Sequence, residues 1–352
     1  MRIFLTGGTG YIGRALARRL AEAGHEVRAL VRPTSDAEPL KRLGVATFLG
    51  DIGDRASMRE GMSGADWVIH AAAELDLNGP PERMRRANVQ GSENVASLAY
   101  KLGVGRFLSV SSMAYFGGSP PDGSAAGEDA PLQTPFPTLY SATKHSGELA
   151  IQEWAKRGLR VNTVYPSLVY GPPGKKEGAN VLLRGFLKGR YPALVGADRR
   201  MSWIYLDDLV EGMLKMIEKA PPGRGYLMTG DVATLRDLVD RVCALGGVKA
   251  PRRNLPVGVA RLGLILAAPL YRLRGRRPPF STEQLNSLER HWAFDDSRAR
   301  TELDWHPRSL SEGLPPTVEL LRAPSPPQPS SPAPSLPTSP GEEGARQEQV
   351  SS

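Results

Sequence analysis

Two side chains of complementary chemistry, Tyr140 and Lys144, stand four residues apart in the sequence Tyr-Ser-Ala-Thr-Lys. Residues at i and i+4 of a helix share one face, so the phenol and the ammonium would lie side by side. A phenol ordinarily titrates near pH ~10, and a neighbouring ammonium favours the phenolate and lowers that pKa. The pair therefore predicts proton transfer at a substrate oxygen, with Tyr140 as general acid or base.

Two hydroxyl groups precede this pair, at Ser111 and Ser112, where a predicted strand ends. A hydroxyl in that position could polarise a substrate carbonyl or hold an alkoxide. The alternative is an ordinary strand-to-loop turn. We favour Ser112 over Ser111 as the catalytic hydroxyl.

A glycine-rich segment, Thr-Gly-Gly-Thr-Gly-Tyr-Ile-Gly, occupies residues 6–13, between a predicted strand and a predicted helix. Gly7, Gly10 and Gly13 give the spacing G-x-x-G-x-x-G. Glycine permits a tight turn and lets backbone N–H groups approach a diphosphate at the positive end of the helix dipole. The segment therefore predicts a dinucleotide site.

The end of the second predicted strand, Leu30-Val31-Arg32, carries no carboxylate. An acidic residue there would bind the ribose 2′-hydroxyl of NAD, whereas a basic residue accommodates the 2′-phosphate of NADP. The guanidinium of Arg32 suits a bidentate phosphate contact, and a solvated surface arginine is the alternative. We therefore predict NADP as the preferred cofactor, with NAD as the other choice.

Two further stretches fit the same site. Asp51 and Ile52 follow the third predicted strand and would contact adenine, unless Gly50 and Gly53 simply mark a turn. His70 and the three alanines after it end the fourth predicted strand, where small residues let the backbone pass close to a cofactor. Packing of helix against sheet is the alternative explanation for the alanines.

The elements that must position these residues alternate along the chain. Strands are predicted at 2–6, 25–31, 46–49, 67–71, 106–110, 160–165 and 202–206, and helices at 12–23, 82–102, 140–157, 180–188, 207–219, 235–245 and 257–273. This pattern predicts an α/β fold, with a doubly wound parallel sheet over residues 1–172 that takes returning elements from the C-terminal half. Residues 173–322 would mainly form a smaller substrate-binding lobe. The Pro- and Ser-rich residues 323–352 predict a disordered tail.

Composition limits the binding partners and the cellular compartment that we expect for this protein. The formal net charge is +8, but no nucleic-acid-binding motif is recognisable, so we expect no nucleic-acid partner. The single cysteine, Cys243, excludes an internal disulfide. No apolar run is long enough to span a membrane, and the first residues do not form a signal peptide. We expect a cytoplasmic protein with a small-molecule substrate and no metal.

The motifs together resemble those of the extended short-chain dehydrogenase/reductase superfamily, which is the NAD-dependent epimerase/dehydratase family in the broad sense. The matching stretches span residues 1 to about 322: TGGTGYIG (6–13), GDIGD (50–54), HAAA (70–73), NVQGSENV (88–95), SVSSMAYFG (109–117), YSATK (140–144), YPSLVYGPPG (165–174), WIYLDDLVEG (203–212) and DDSRARTELDWHPR (295–308). The resemblance implies a Rossmann-type fold. By analogy with relatives, helices 82–102 and 140–157 would build a homodimer interface.

The resemblance also implies roles for individual residues. It makes Ser112, Tyr140 and Lys144 the catalytic triad, with Asn88 as a supporting residue and Lys144 as a second contact to the nicotinamide ribose. The implied cofactor contacts are Gly7, Gly10, Tyr11, Ile12 and Gly13 for the diphosphate, Asp51 and Ile52 for adenine, and Ala71, Ala72, Ala73, Pro166 and Leu168 for the nicotinamide half.

At several positions this chain departs from the residues typical of particular subfamilies, and these departures indicate which subfamily it resembles most. Dehydratases of this family carry Thr-Asp-Glu around the active-site serine, where this chain has Ser112-Met113-Ala114. Nucleotide-sugar epimerases carry Asn at the place of Ser167 and Arg at that of Met201. The chain is most similar to dihydroflavonol-4-reductase-like and 3β-hydroxysteroid-dehydrogenase-like members. That similarity implies an NAD(P)-dependent oxidoreductase acting on a ketone or secondary alcohol of an apolar molecule.

Three alternatives remain open at this point. The chain could be a nucleotide-sugar epimerase with tightly bound NAD, or a non-catalytic dinucleotide sensor. The apolar segment 257–273, followed by Arg274, Arg276 and Arg277, could also lie on an anionic membrane. For that segment we favour a lobe helix packed over the substrate pocket, because Pro269 and the short length oppose a membrane role.

Overall fold

The computed structural model describes residues 1–174, 177–273 and 281–323, without the side chains of residues 268–270 and 272. Residues 1–322 form one compact unit. The predicted tail beyond Ala323 lies outside the described residues, and so do Arg274, Arg276 and Arg277.

The described residues contain twelve strands in chain order: β1 (Arg2–Thr6), β2 (Glu26–Val31), β3 (Ala46–Leu49), β4 (Trp67–His70), β5 (Arg106–Val110), β6 (Val161–Pro166), β7 (Leu168–Tyr170), β8 (Ala193–Val195), β9 (Arg200–Tyr205), β10 (Gly225–Met228), β11 (Asp231–Thr234) and β12 (Arg253–Leu255). Seven of them form a parallel sheet in the order β10-β6-β5-β4-β1-β2-β3. The order reverses between β1 and β4, which is where ligands bind in open α/β sheets.

The helices in the described part of the chain are α1 (Tyr11–Glu22), α2 (Glu38–Lys41), α3 (Arg55–Met62), α4 (Pro81–Arg85), α5 (Ser92–Lys101), α6 (Leu139–Lys156), α7 (Asn180–Leu187), α8 (Leu206–Lys219), α9 (Leu235–Gly246), α10 (Val257–Leu273), α11 (Thr282–Leu288), α12 (Ser297–Leu303) and α13 (Leu310–Arg322). Residues of the second half of the chain form two smaller sheets, with the strand orders β11-β9-β7 and β12-β8. The α/β prediction is confirmed.

Burial on both faces explains why β1 is a continuous apolar run rather than an alternating one. Ile3 and Leu5 belong to a core cluster with residues of α1 and α8. Phe4, which points to the opposite face, belongs to a cluster with residues of α3, α5 and α6. Helices therefore cover both sides of the sheet, and its polar strand ends are left for ligand binding.

The structure corrects the predicted elements at several places. The single helix predicted at 82–102 is interrupted between α4 and α5 by a π-helical segment, Arg86–Gly91. The prediction also missed β10, because Gly-Tyr-Leu-Met lacks the β-branched run used to find strands. It missed α3, although Asp54 caps that helix by accepting a hydrogen bond from Ala56 N at 2.9 Å. Eight short or C-terminal elements were not predicted either: β7, β8, β11, β12, α2, α11, α12 and α13. The bounds of most predicted elements are shifted by one or two residues.

Candidate active site

One cavity of about 1530 Å³ extends from the glycine loop into the second half of the chain. The carboxyl ends of the central parallel strands open into it, as expected at a switch point. Its walls include every predicted cofactor residue except Lys144, and also Ser111, Ser112 and Tyr140. Lys144 and Asn88 are not among the described residues that line it.

Two glycines of the loop, Gly7 and Gly13, have no room for a side chain. Gly7 adopts a φ of +75°, and a Cβ on it would lie 2.6 Å from the backbone carbon of Ala71. A Cβ on Gly13 would lie 2.1 Å from the carbonyl oxygen of Gly7. The glycines are therefore required by the fold of the loop itself, which brings the start of α1 against the end of β4.

The amino terminus of α1 is suited to an anion. Gly10 caps the helix without a side-chain hydrogen bond, and no acidic residue occupies the first turn. Gly10, Tyr11, Ile12 and Gly13 all line the cavity. Unpaired N–H groups and the helix dipole together favour negative charge at this point. The loop thus fits the diphosphate of a dinucleotide.

Three arginines lie near this end of the cavity, and they differ in what they contact. Arg32 is exposed, lines the cavity beside Ser35, and forms no ion pair among the described residues. Arg14 is held by Glu177, whose two carboxylate oxygens lie 2.9 and 2.8 Å from its guanidinium. Arg86 lines the cavity, and the sequence did not point to it. Its guanidinium covers Gly53, where an added Cβ would lie 3.0 Å from Nε.

The predicted adenine contacts occupy adjacent positions on the cavity wall. Ile52 is buried, whereas Asp51 is exposed and its Oδ1 accepts a hydrogen bond from Gly53 N at 2.7 Å. Asp51 therefore holds a turn and also faces the cavity, so the two interpretations of this stretch are compatible.

A buried histidine fixes the backbone of the alanine stretch. His70 Nδ1 lies 2.8 Å from Thr6 Oγ1, and His70 Nε2 lies 3.0 Å from Ser92 Oγ. Burial lowers the pKa of His70 to about 3, so the ring is neutral at physiological pH. It joins the ends of β1 and β4 to α5 and thereby holds Ala71 to Ala73 along the cavity. His70 itself does not line the cavity.

Tyr140 and Ser112 meet in the cavity. Tyr140 lies in the first turn of α6, which Thr138 caps through a 3.0 Å hydrogen bond from Ser141 N. Ser112 follows β5, and its hydroxyl lies close enough to the Tyr140 phenol to act on the pKa of that group. Burial raises the pKa of Tyr140 above its ordinary value, and the Ser112 contact opposes that shift only in part. The phenol is therefore protonated at neutral pH.

In the protein alone the pKa of Tyr140 is raised by burial rather than lowered, and Lys144 does not contribute to the shift. Lys144 Nζ donates a 3.0 Å hydrogen bond to the carbonyl of Val110, at the end of β5. Burial lowers the pKa of Lys144 to about 8, and the carboxylate of Glu148, one turn further along α6, opposes this shift. The i, i+4 spacing placed the two residues on one helix face but did not determine the hydrogen bond that Lys144 makes.

The two candidate serines have different surroundings. Ser112 Oγ also accepts a 3.1 Å hydrogen bond from Ala114 N, which caps a short 3₁₀ turn at Met113–Phe116. Ser111 is buried, and its Oγ has no hydrogen-bond partner among the described residues. Of the two serines, only Ser112 acts on the pKa of Tyr140.

Asn88 supports the site from behind. It lies in the π-helical segment, where its Oδ1 accepts a 2.7 Å hydrogen bond from Glu74 N. Its Nδ2 donates to the Glu74 carbonyl at 3.0 Å and to Thr143 Oγ1 at 3.1 Å. Asn88 thus links the chain after β4 to α6, next to Lys144, and does not line the cavity.

The far half of the cavity is apolar. Its wall comes from α7, β8, β9 and α11, from the starts of β7 and α9, and from the segment between α11 and α12; the residues are Leu168, Val181, Leu182, Phe186, Leu194, Val195, Met201, Trp203, Leu235, Leu288 and Trp292. Sequence reasoning singled out only Leu168 and Met201 among them. The others come from five separate elements and, for Trp292, from the segment after α11, and no sequence motif joins them.

Comparison with known proteins decides the family. The model of the NAD-dependent epimerase/dehydratase family matches residues 3–228. The chain belongs to this family. It is therefore an enzyme of the extended short-chain dehydrogenase/reductase type, a family that uses a nicotinamide dinucleotide, as the resemblance implied.

Curated members of the family are similar along most of the chain. A 4-hydroxy-2-methyl-3-oxo-4-farnesyl-3,4-dihydroquinoline-1-oxide ketoreductase of Stigmatella aurantiaca is 31% identical, over 87% of this chain and 92% of that protein. A 2-alkyl-3-oxoalkanoate reductase of Stenotrophomonas maltophilia is 30% identical, over 89% and 97%. A 3-beta-hydroxysteroid dehydrogenase of Mycolicibacterium neoaurum is 26% identical, over 91% and 92%.

Solved structures share the fold of this family member. The crystal structure of gox2253 superposes with a TM-score of 0.79 at 29% identity, covering 91% of this chain and 97% of that one. The UDP-glucose 4-epimerase of Thermotoga maritima gives a TM-score of 0.73 at 22% identity, covering 92% and 99%. At 22% identity, the similarity to the epimerase structure supports the fold alone.

Proposed function

We propose that this enzyme is an NADP(H)-dependent oxidoreductase that interconverts a ketone and a secondary alcohol on a mostly apolar substrate. The observation that carries the proposal is that Tyr140 and Ser112 line a single cavity, where Ser112 acts on the pKa of Tyr140. A diphosphate-binding loop lies at one end of that cavity and an apolar wall at the other.

Tyr140 is the proposed proton donor in the direction of reduction. Its raised pKa keeps the phenol protonated at neutral pH, ready to give its proton to the oxygen of a ketone as that oxygen gains charge. Ser112 donates a hydrogen bond to the same oxygen and steadies the developing alkoxide. A nicotinamide bound in the cavity supplies the hydride for the carbonyl carbon.

Lys144 and Asn88 serve this pair in different ways in our proposal. The ammonium of Lys144, one turn from Tyr140, supplies positive charge that favours the phenolate left after proton transfer. Its second proposed role, a contact to the nicotinamide ribose, requires the ammonium to leave the Val110 carbonyl. Asn88 holds α6 through Thr143 and so keeps Tyr140 and Lys144 in register with the chain after β4.

The preference for NADP rests on Arg32. Its side chain is exposed on the cavity wall without a carboxylate partner among the described residues, so a phosphate meets no competing anion. Arg86, across the same end of the cavity, adds a second positive charge. Arg14 contributes nothing here, because Glu177 already neutralises it.

The apolar substrate class rests on the far wall and on Met201. Met201 is buried and lines the cavity, whereas the Arg200 side chain turns away and donates a 2.8 Å hydrogen bond to the carbonyl of Gly123. The cavity therefore lacks a guanidinium from β9 that could bind a nucleotide-sugar diphosphate. The names of the ketoreductase, the oxoalkanoate reductase and the steroid dehydrogenase above describe apolar ketones or alcohols, which supports the same choice.

The test is a titration of the purified protein with NADPH and with NADH, for wild type, Arg32→Ala and Arg18→Ala as a remote control. We expect the wild type to bind NADPH at least about ten-fold more tightly, which corresponds to about 1.4 kcal/mol for the phosphate contact. Arg32→Ala should bind both cofactors equally, and Arg18→Ala should resemble the wild type. Purification with NAD already bound, and no consumption of NADPH with any apolar ketone, would favour the epimerase alternative instead.

A further inference from the structure

The outward face of α10 exposes large apolar side chains. Leu262 is 58% exposed, Ile265 61%, Leu266 72% and Leu273 85%, and Val259 is also exposed. Val259, Leu262, Leu266 and Leu273 follow one another at spacings of three, four and seven residues, so they share one face of the helix. We call these five residues the α10 surface. A contiguous apolar face of this kind marks an interaction site in a folded protein.

The opposite face of α10 is packed as the sequence analysis predicted. Val257 is buried against Val195 and Leu285, and Ala260 and Leu264 pack against the same cluster. The helix is therefore anchored on the protein, and its outward leucines are not core residues left unfolded. A helix that is apolar on both faces is normally covered on both.

The sequence that contains α10 is strongly basic. Between residues 241 and 282 the sequence has nine Lys and Arg and no Asp or Glu, which exceeds the formal net charge of +8 for the whole chain. Lys249, Arg252 and Arg253 are exposed near β12, and none of them forms an ion pair among the described residues. The one described ion pair on α10 joins Arg261 to Glu289 at 2.8 Å.

We propose that the α10 surface docks onto an anionic phospholipid bilayer, with the basic residues around it contacting the lipid headgroups. Apolar side chains flanked by Lys and Arg are the pattern of a helix that lies in a membrane interface. A second copy of this chain would bring equal positive charge to the same face and be repelled. In the described part of the chain, no helix is both long and apolar enough to cross a bilayer. The docking is therefore peripheral.

The position of α10 gives this docking a consequence for the proposed function. Ala260 and Leu264 pack in the cluster that contains Leu288 and Val195, and both of these residues line the cavity. The face of α10 opposite the α10 surface thus packs directly against residues of the apolar cavity wall. If the substrate is an apolar ketone that partitions into lipid, docking places the enzyme where that substrate is concentrated. The docking itself does not depend on the proposed reaction.

The experiment is co-sedimentation of the full chain with vesicles of phosphatidylcholine alone or of phosphatidylcholine with added phosphatidylglycerol. We expect binding to the anionic vesicles only, weakening as salt screens the headgroup charge. The double variant Leu262→Gln/Leu266→Gln should lose binding by about ten-fold or more. Leu49→Gln is the matched control, because Leu49 is 70% exposed at the end of β3, and it should bind as the wild type does.

Three results would overturn the docking proposal. The first is failure of the wild type to bind anionic vesicles. The second is equal binding by wild type and the double variant, provided that both melt at the same temperature. The third is a wild type that sediments as a dimer in solution while the double variant is monomeric, since a second copy would then cover the α10 surface. NADPH titration of the same samples tests the proposed function independently, because cofactor binding does not require vesicle binding.

Discussion

The two halves of the cavity are built in different ways. The cofactor half is built around the glycine loop, where Gly7 and Gly13 leave no space for a side chain: a Cβ on Gly13 would lie 2.1 Å from the Gly7 carbonyl oxygen. The substrate half is assembled from apolar side chains of several separate elements, among them Phe186 of α7, Trp203 of β9 and Leu288 of α11. Tyr140 and Ser112 lie where the halves meet.

This difference predicts how the two halves respond to substitution. The crowded backbone at Gly7 and Gly13 tolerates almost no side chain. A wall of apolar side chains can change one residue at a time and still pack. Substitutions in the cofactor half should therefore abolish cofactor binding, whereas those in the substrate half should change which substrate is used.

The largest effect is expected at the junction. Tyr140→Phe removes the proton donor and should lower kcat for ketone reduction about 10³-fold while leaving NADPH binding unchanged. Ser112→Ala should lower kcat about 10²-fold. Ser111→Ala, next to it in the chain, should leave kcat near the wild-type value. A Ser111 variant as impaired as the Ser112 variant would mean that the wrong hydroxyl has been assigned, and steady-state kinetics with NADPH decides this.

In the cofactor half, Gly13→Ala forces the loop apart. Overpacking of this kind costs about 3 kcal/mol, which weakens NADPH binding about one hundred-fold. Gly127→Ala is the matched control, because a Cβ there meets nothing within 4 Å. Fluorescence titration measures binding, and thermal melting checks that the fold survives. Unchanged NADPH affinity in a folded Gly13→Ala protein would contradict the assigned diphosphate site.

In the substrate half, Val181→Asp places a carboxylate on the apolar wall. Val181 is exposed at the cavity, so the fold should tolerate the change. Desolvation of the new charge by an apolar ketone should raise KM about ten-fold, or about 1.4 kcal/mol, with no change in NADPH affinity. Val181→Leu should keep the wild-type KM. If the aspartate variant instead lost NADPH affinity, the two halves would not be independent.

The smallest effect concerns the pH profile. Lys144 has a pKa of about 8, so its ammonium is lost as pH rises through that value and reduction should slow above it. Glu148 raises this pKa, and Glu148→Gln should therefore shift the decline of kcat/KM to lower pH, with a few-fold loss near pH 8. Glu153→Gln, on an exposed turn of α6, is the control and should leave the profile in place. If the decline of kcat/KM moved to higher pH in Glu148→Gln, the assigned effect of Glu148 on the pKa of Lys144 would be wrong.

Much of the fold and of the cofactor half could be predicted from the sequence. β1, β3 and β5 have the predicted bounds, because short buried strands between turn residues are local signals. Gly7, Gly10, Gly13 and Arg32 were found because their functions depend on residue type and spacing within one segment. The π-helical segment at Arg86–Gly91, inside the single helix predicted over 82–102, shows the limit, since nothing local distinguishes a π-helix from an α-helix there.

The sequence by itself determined the glycine loop, the Tyr140–Lys144 helix face, the alternation of strands and helices in the first half of the chain, and the concentration of positive charge between residues 241 and 282. Only the tertiary structure decided that Lys144 binds the Val110 carbonyl, that Arg14 is neutralised by Glu177, that Arg86 faces the cavity and that the leucines of α10 are exposed. The physical reason is distance along the chain. Backbone turns and helix faces depend on neighbours in sequence, whereas ion pairs, pKa values and exposure depend on which remote residues the fold brings within contact.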